Sequence, residues 1–197
     1  MAGVVHQGAF KLAMRNLAAG VSVITSVNGD RRGGMTATAV CSLSAEPAQL
    51  LVCVNRSAST HELIASSGRF CVNVLAAGQR HVASAFAGGV SWEDRFKSGS
   101  WSALSTGCPV LSDALAAFDC ELVEHKDCAT HSIFIGRVVD VWCADDAGRA
   151  EPLLYFRNRL RRSASLSSKP RRDVLHGGAA ALHQPSNLQR NATREST

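Results

Sequence analysis

Between Gly34 and Ser44 the chain alternates with a period of two. Met35, Ala37, Ala39, Cys41 and Leu43 fall on one side; Thr36, Thr38, Val40, Ser42 and Ser44 fall on the other. Successive side chains of a strand point to opposite faces, so this pattern predicts one strand over 34–44 with an apolar face on a core and a face of small hydroxyls. The β-branched run VSVITSV (21–27) predicts a strand before it, with NGDRRGG as the turn of a hairpin. Upstream, FKLAMRNLAAG places Phe10, Ala13, Met14 and Leu17 at helical spacing, with Gly20 as a stop. Downstream, QLLVCVN (49–55) reads as a buried strand. RSASTHELIASSG reads as a helix opened by a Ser59–Glu62 capping box and ended at Gly68.

RFCVNVLA continues as a strand and QRHVASAFAG as a second short helix. Residues 91–107 are rich in Ser and Gly and read as a long loop, a candidate lid or contact segment. After Pro109, ALAAFDCELVEHKD, HSIFIGRVVDVWCAD and EPLLYFRN predict three more strands, separated by turns at CAT and at residues 146–151. Six or seven strands joined by connections mostly too short for repeated β-α-β crossovers predict a mainly β fold, an antiparallel barrel with peripheral short α-helices. The domain is drawn at 1–160. The remainder, 161–197, is a basic tail whose Ser, Arg, Gly and Pro content carries no sustained period and predicts disorder.

Composition narrows the function classes. A hydrophobic content of 46% over 197 residues suffices for a core, and no apolar run approaches the ~20 residues of a membrane span. A cytoplasmic protein without membrane association is therefore expected. The net charge of +5 could suggest a nucleic-acid ligand, but nine Lys/Arg face two Asp/Glu from Arg157 onward, whereas twelve face fourteen before it. The basic character belongs to the tail, and no nucleic-acid role is assigned to the domain; a docking arm is the alternative for the tail. Seven cysteines show no C-x-x-C spacing and most lie in apolar strand-like runs, so they are expected as buried reduced thiols. The histidines show no metal-binding spacing, and no metal is expected.

Candidate chemistry lies in two places. The hydroxyl face of 34–44 is either a solvent-facing edge or the floor of a site. Asn55, Arg56, Ser57, Ser59 and Thr60 arrive where a helix begins, and a guanidinium, hydroxyls and free helix N–H groups suit an anion such as a phosphate. If strands 34–44 and 49–55 pair, the two become one site for a planar polar ligand with a terminal phosphate.

On these residues the chain resembles a known family. The segments AAGVSVITS, GMTATAVCSLSAEPAQLLVCVNRSASTHELI, FCVNVLA, DRF, GCPVLSDALAAFDCE, HSIFIGRVVDV and PLLYFR are similar, in order and spacing over residues 8–159, to the flavin reductase-like family of two-component flavin monooxygenases. The resemblance implies a split β-barrel homodimer that binds FMN or FAD and passes hydride from NADH or NADPH to the flavin. The reduced flavin would serve a separate flavin-dependent oxygenase, often one acting on an aromatic compound; a flavin-binding protein of the same barrel without turnover is the alternative. It further implies Thr36, Ala37, Thr38, Ala39, Ser42, Leu43 and Ser44 along the isoalloxazine and ribityl chain, and Asn55, Arg56, Ser57, Ser59 and Thr60 on the phosphate. His131 is placed on the nicotinamide side, as the candidate catalytic residue. Phe86, Asp94, Arg95, Phe96 and Tyr155 are placed near the flavin. A core aromatic would explain Phe86 as well, and a local ion pair Asp94 and Arg95. Ala129 and Thr130 depart from the family's Gly-Asp before that histidine, and Phe156 and Asn158 depart from its Tyr and Gly on the last strand.

Overall fold

In a computed structural model, which describes residues 4–144 and 150–163, the chain is mainly β. Helix α1 (Gln7–Met14) is followed by β1 (Ala19–Gly20), β2 (Ser22–Asn28), β3 (Arg31–Ala37), β4 (Val40–Ala45), β5 (Ala48–Asn55), α2 (Ser59–Ser67), β6 (Arg69–Val74), α3 (Arg80–Phe86) and α4 (Trp92–Arg95). Then come a 3₁₀ turn (Phe96–Ser98), β7 (Trp101–Ala103), β8 (Pro109–Leu111), β9 (Ala116–Cys128), β10 (His131–Cys143), β11 (Leu153–Phe156) and β12 (Arg159–Arg162). Every strand pairing is antiparallel, as the short connections require. Most of the turn expected at 146–151, and the tail from residue 164 on, lie outside the described residues.

Seven strands form one sheet in the order β3-β2-β6-β9-β10-β5-β4. Its two end strands are consecutive in sequence, so the chain crosses from one end of the sheet to the other through Thr38 and Ala39 alone. The sheet must curl for that short link to span it, and Ala39 O accepts from Cys53 N at 3.0 Å. Inside the curl lie Ile24, Val52, Val54, Phe70, Val72 and Phe134, roofed by Ile64 of α2. A second cluster packs Val82, Ala83 and Phe86 of α3 against Phe96, Leu75, Leu111 and Leu153.

The single strand expected over 34–44 is two strands. β3 pairs with β2 and β4 with β5, and the break at Thr38–Ala39 reverses the facing of the residues after it. Met35 and Ala37 pack on the core as expected, but in β4 it is Val40 that packs inward, while Ala39, Cys41 and Leu43 are exposed. A bulge between Ser42 and Ser44 shifts the register once more at Leu43. A run of period two says nothing about such interruptions, because each inserts one residue without changing the composition.

Other expectations change for local reasons. The turn after β2 is two residues, with Gly29 at φ 57°, so Arg31 to Gly34 already belong to β3. Helix α1 stops at Met14 without burying any residue, and Gly20 lies in β1 beside Leu154 rather than ending the helix. Ala58, not Ser59, is the N-cap of α2, so the Ser59–Glu62 box does not form, whereas Gly68 does end the helix in the left-handed region at φ 68°. The segment expected as a loop over 91–107 contains α4, the 3₁₀ turn and β7. Its end is fastened by a carboxylate: buried Asp119 accepts from Thr106 N at 2.7 Å and Thr106 Oγ1 at 2.5 Å. Only Cys71, Cys108 and Cys120 are buried; burial pushes the Cys108 thiol up to about 11 and that of Cys120 up to about 12. Cys41, Cys128 and Cys143 are exposed.

Candidate functional site

The Thr38–Ala39 link lies open on the surface. Because Ala39 has only a methyl group and Thr38 a short hydroxyl-bearing side chain, a flat molecule can come close to the backbone there. Two clefts meet at this point. One, of about 440 Å³, runs from Thr38 and Ala39 to Tyr155 and is walled by Lys11, Met14 and Arg15 around α1. The other, of about 380 Å³, takes in Thr36, Ala37, Thr38, Ala83 and Tyr155. Tyr155 is placed there by the pairing of β11 with β1, opposite Ala19, and is 39% exposed. The Thr36 hydroxyl is already committed, donating to Ala83 O at 2.7 Å, so Thr36 docks α3 on β3 and leaves Thr38 as the free hydroxyl of the pair.

The anion cradle is reached across β5. Ala39 bonds Cys53, and two residues further Asn55 ends the strand opposite His131 of β10. Asn55, Arg56, Ser57, His61, Ala129 and Thr130 line a shallow cleft there. Its donors are each held by an oxygen of the chain itself. Asn55 Oδ1 accepts from Ser57 N at 2.9 Å and Ser57 Oγ at 2.8 Å, and Asp127 Oδ2 lies 3.3 Å from Arg56 Nη2. Both members of that ion pair are half-exposed, so solvent screens it, and it holds Arg56 less firmly than the two-pronged contact a guanidinium can make to a phosphate. A phosphate can therefore displace Asp127 from Arg56. The donor set and the small-residue link together fit a phosphate-bearing planar cofactor such as a flavin nucleotide.

Behind Arg56 stands a relay not foreseen from the sequence. Ser132, fully buried, donates to Asp127 Oδ1 at 2.6 Å and lies 2.7 Å from His61 Nε2. A hydroxyl has one proton, so His61 must donate from Nε2. The His61 ring packs edge-on against Phe134 at 5.0 Å. Burial lowers its pKa, with Asp127 opposing and His125 and Arg56 reinforcing the shift. The folded protein thus holds fewer protons on His61 than the unfolded chain, and stability from this source is present above pH 6.5 and lost as the pH falls below it. The expected result is an unfolding midpoint that drops on acidification below pH 6.5 and drops less steeply in His61→Gln, as thermal melts across pH show. The sequence signal was the third residue of Ser59-Thr60-His61, which reads as helix until β10 is laid beside it.

The other candidates divide. His131 is exposed, with Nδ1 2.9 Å from Thr130 Oγ1, and sits beside the cradle through its pairing with Asn55. Ser59 is exposed and Thr60 buried within the first turn of α2. Ser42, Leu43 and Ser44 continue β4 away from these clefts and line none of them. Phe86 and Phe96 are buried in an edge-to-face pair 5.1 Å apart with Trp101 alongside, so they present no ring to a ligand and support the site from behind. Ser91 caps α4 by accepting from Asp94 N and donating to Asp94 Oδ2, and Asp94 pairs with Lys97 at 2.6 Å, which holds its carboxyl below the usual range. Arg95 Nη1 donates to Gly34 O at 3.0 Å and its Nε to Val90 O at 3.2 Å, pinning α4 to β3.

The fold and the paired clefts define a class, and comparison with known proteins agrees: residues 14–164 match the family described as flavin reductase like domain, and the chain belongs to that family. Among individual relatives it is 44% identical over 152 residues to the FMN reductase (NADH) RutF of Agrobacterium fabrum, covering 77% of this chain and 86% of that one. Among solved structures it is similar to a putative flavin reductase of Haemophilus somnus, with a TM-score of 0.77 and 37% identity over 80% of this chain and 99% of that one. It is also similar to the NADH:FAD oxidoreductase SgcE6 of Streptomyces globisporus C-1027 in complex with NAD and FAD fragments, with a TM-score of 0.76 and 28% identity over 85% and 100% of the two chains.

Proposed function

We propose that this protein is an NAD(P)H:flavin oxidoreductase, a split barrel that reduces a flavin and releases it to a separate oxygenase. The observation that carries this reading is the single hydrogen bond from Cys53 to Ala39, which sets the open Thr38–Ala39 link beside the strand that delivers Asn55, Arg56 and Ser57. Relatives named FMN reductase (NADH) favour FMN with NADH. Structural relatives named as flavin reductase components favour an oxygenase partner, and the family resemblance favours one acting on an aromatic compound.

The nicotinamide and the flavin themselves supply the hydride donor and acceptor. The chain's own task is placement. Arg56 and the Ser57 hydroxyl and N–H would hold the phosphate, and the exposed Thr38–Ala39 link would lie against the flavin ring. His131 stands exposed opposite Asn55, beside the residues that would hold the phosphate. Lys11 and Arg15, walling the Thr38 cleft, would add positive charge beside a bound flavin.

A homodimer fits the same surfaces. Helix α1 buries nothing; Phe10 on it and Leu17 just after it are more than half exposed and line the Thr38 cleft, and Leu43 is 47% exposed on β4. A second copy covering these residues would also shield the ring from water.

The test is an absorbance assay of NADH oxidation with purified protein and FMN or FAD. Flavin-dependent loss of the nicotinamide band is expected, and no loss with any flavin and either nicotinamide would overturn the proposal. Tight flavin retention without NADH oxidation would instead mark a flavin-binding protein.

A further inference from the structure

The phosphate cradle carries an anion of its own. Among the described residues Arg56 is the one Lys or Arg lining the cleft formed with Asn55, Ser57 and Thr130, and a carboxylate from outside that lining sits on it, with Asp127 Oδ2 3.3 Å from Arg56 Nη2. An ordinary surface ion pair joins two loose side chains. Here the carboxylate is held from behind: Asp127 lies on β9 directly opposite Ser132 of β10, and the buried Ser132 hydroxyl donates to Oδ1 at 2.6 Å. His61 of α2 locks that hydroxyl in turn from Nε2 at 2.7 Å. Arg56 N donates to Thr130 O at 3.0 Å, which ties the Arg56 backbone to the turn between β9 and β10 and leaves only its side chain to swing. The Ser132 hydrogen bond, with Arg56 adding to it and burial opposing, holds the Asp127 carboxyl below the usual carboxylate range, so it stays charged at neutral pH.

We propose that Asp127 competes with the flavin's phosphate for Arg56, and is thereby the residue that sets how weakly a phosphorylated flavin is held. This rests on the reductase reading, which brings that phosphate to the cleft. A phosphate monoester carries about −1.5 to −2 charge at pH 7, and the Arg56–Asp127 pair presents no net charge to it. Binding must first separate the pair, because the guanidinium that would fork onto the phosphate is already engaged. The cost falls on flavins that bear a phosphate and leaves the ring contacts at Thr38 and Ala39 untouched. A protein that hands reduced flavin on gains from this, since a ligand gripped by an unopposed guanidinium dissociates slowly. The pair has little else to do: both side chains are half-exposed, so it adds little to stability, and β9 and β10 are already joined by their backbone pairing.

The experiment is fluorescence titration of the full chain with FMN and with riboflavin, which has the same ring and no phosphate, on wild type, Asp127→Asn, Arg56→Ala and the double variant, with thermal melts to show that each is folded. Asp127→Asn keeps an acceptor for Ser132 while removing the charge. It is expected to bind FMN about fivefold more tightly and to release it correspondingly more slowly in stopped flow, with riboflavin affinity changed by less than about twofold. Arg56→Ala should weaken FMN about tenfold, and Asp127→Asn added to it should change FMN by less than about twofold, because no guanidinium is left to compete for. A gain confined to the phosphorylated flavin is a result that structural damage does not produce, since damage would weaken both ligands. Three results would overturn the proposal: FMN affinity unchanged or weaker in folded Asp127→Asn, riboflavin tightened as much as FMN, or the same gain in the absence of Arg56, which would make Asp127 a repelling charge and not a competitor. Failure of the underlying reading shows separately, as wild type that binds no FMN or an Arg56→Ala variant that binds it unweakened, and either overturns the proposal as well.

Discussion

Thr38→Leu is expected to weaken FMN binding by about 2 kcal/mol, a factor of about 30 in Kd, while leaving the melting temperature nearly unchanged. The reasoning is steric and local. Thr38 is exposed and belongs to neither hydrophobic cluster, so the fold gains and loses little when it changes. It lines both clefts that meet at Tyr155, and a branched side chain one carbon longer, with no hydroxyl, would stand where a flat ring must approach the backbone. Thr38→Ser keeps the hydroxyl and should retain affinity within about threefold. Flavin fluorescence titration checks both variants. Normal FMN affinity in Thr38→Leu would show that the link is only a crossing between strands.

Gly136→Val is expected to cost about 3 kcal/mol of stability, enough to unfold a marginal domain near physiological temperature. A Cβ at Gly136 would lie 2.5 Å from Phe70 Cζ and 2.8 Å from Cys120 Cβ, both buried in the core of the curled sheet. Neither can give way, since Phe70 is enclosed on all sides and Cys120 belongs to the backbone-paired strand β9. Gly136 also sits at the register shift between β10 and β9, so relief by sliding the strand would flip the faces of its neighbours. Urea denaturation measures the effect. Gly136→Ala should cost less than the valine but more than about 1 kcal/mol, and an alanine variant as stable as wild type would contradict the packing described.

Much of the architecture could be read from the residues. The β-branched runs at 21–27 and 49–55 and the long runs after Pro109 became β2, β5, β9, β10 and β11 because their apolar residues repeat with the period of a strand, and Gly68 ended α2 because it alone tolerates the left-handed region there. The grouping of Asn55, Arg56 and Ser57 in one cleft was also legible, because the three are consecutive at the end of a strand and carry their chemistry with them. Phe86, Phe96 and Asp94 were less so. An aromatic near a site and an aromatic beneath it look alike in one dimension, and only packing distinguished them.

The sequence by itself determined which segments could be strands, that they would pair antiparallel, and which groups could hold an anion, since alternation, connection length and side-chain chemistry are local properties. The tertiary structure decided that one alternating run is cut at Thr38–Ala39, that Val40 faces inward where Ala39 and Cys41 face out, and that His61 meets Asp127 through Ser132. It also decided that Arg31 and Arg32 from a hairpin share a cleft with Trp92 and Arg95 from a helix more than fifty residues away. Each of these depends on how far the sheet curls and where strands from distant parts of the chain come to rest. Curl and register are set by the packing of the whole core, a quantity that no short stretch of residues contains.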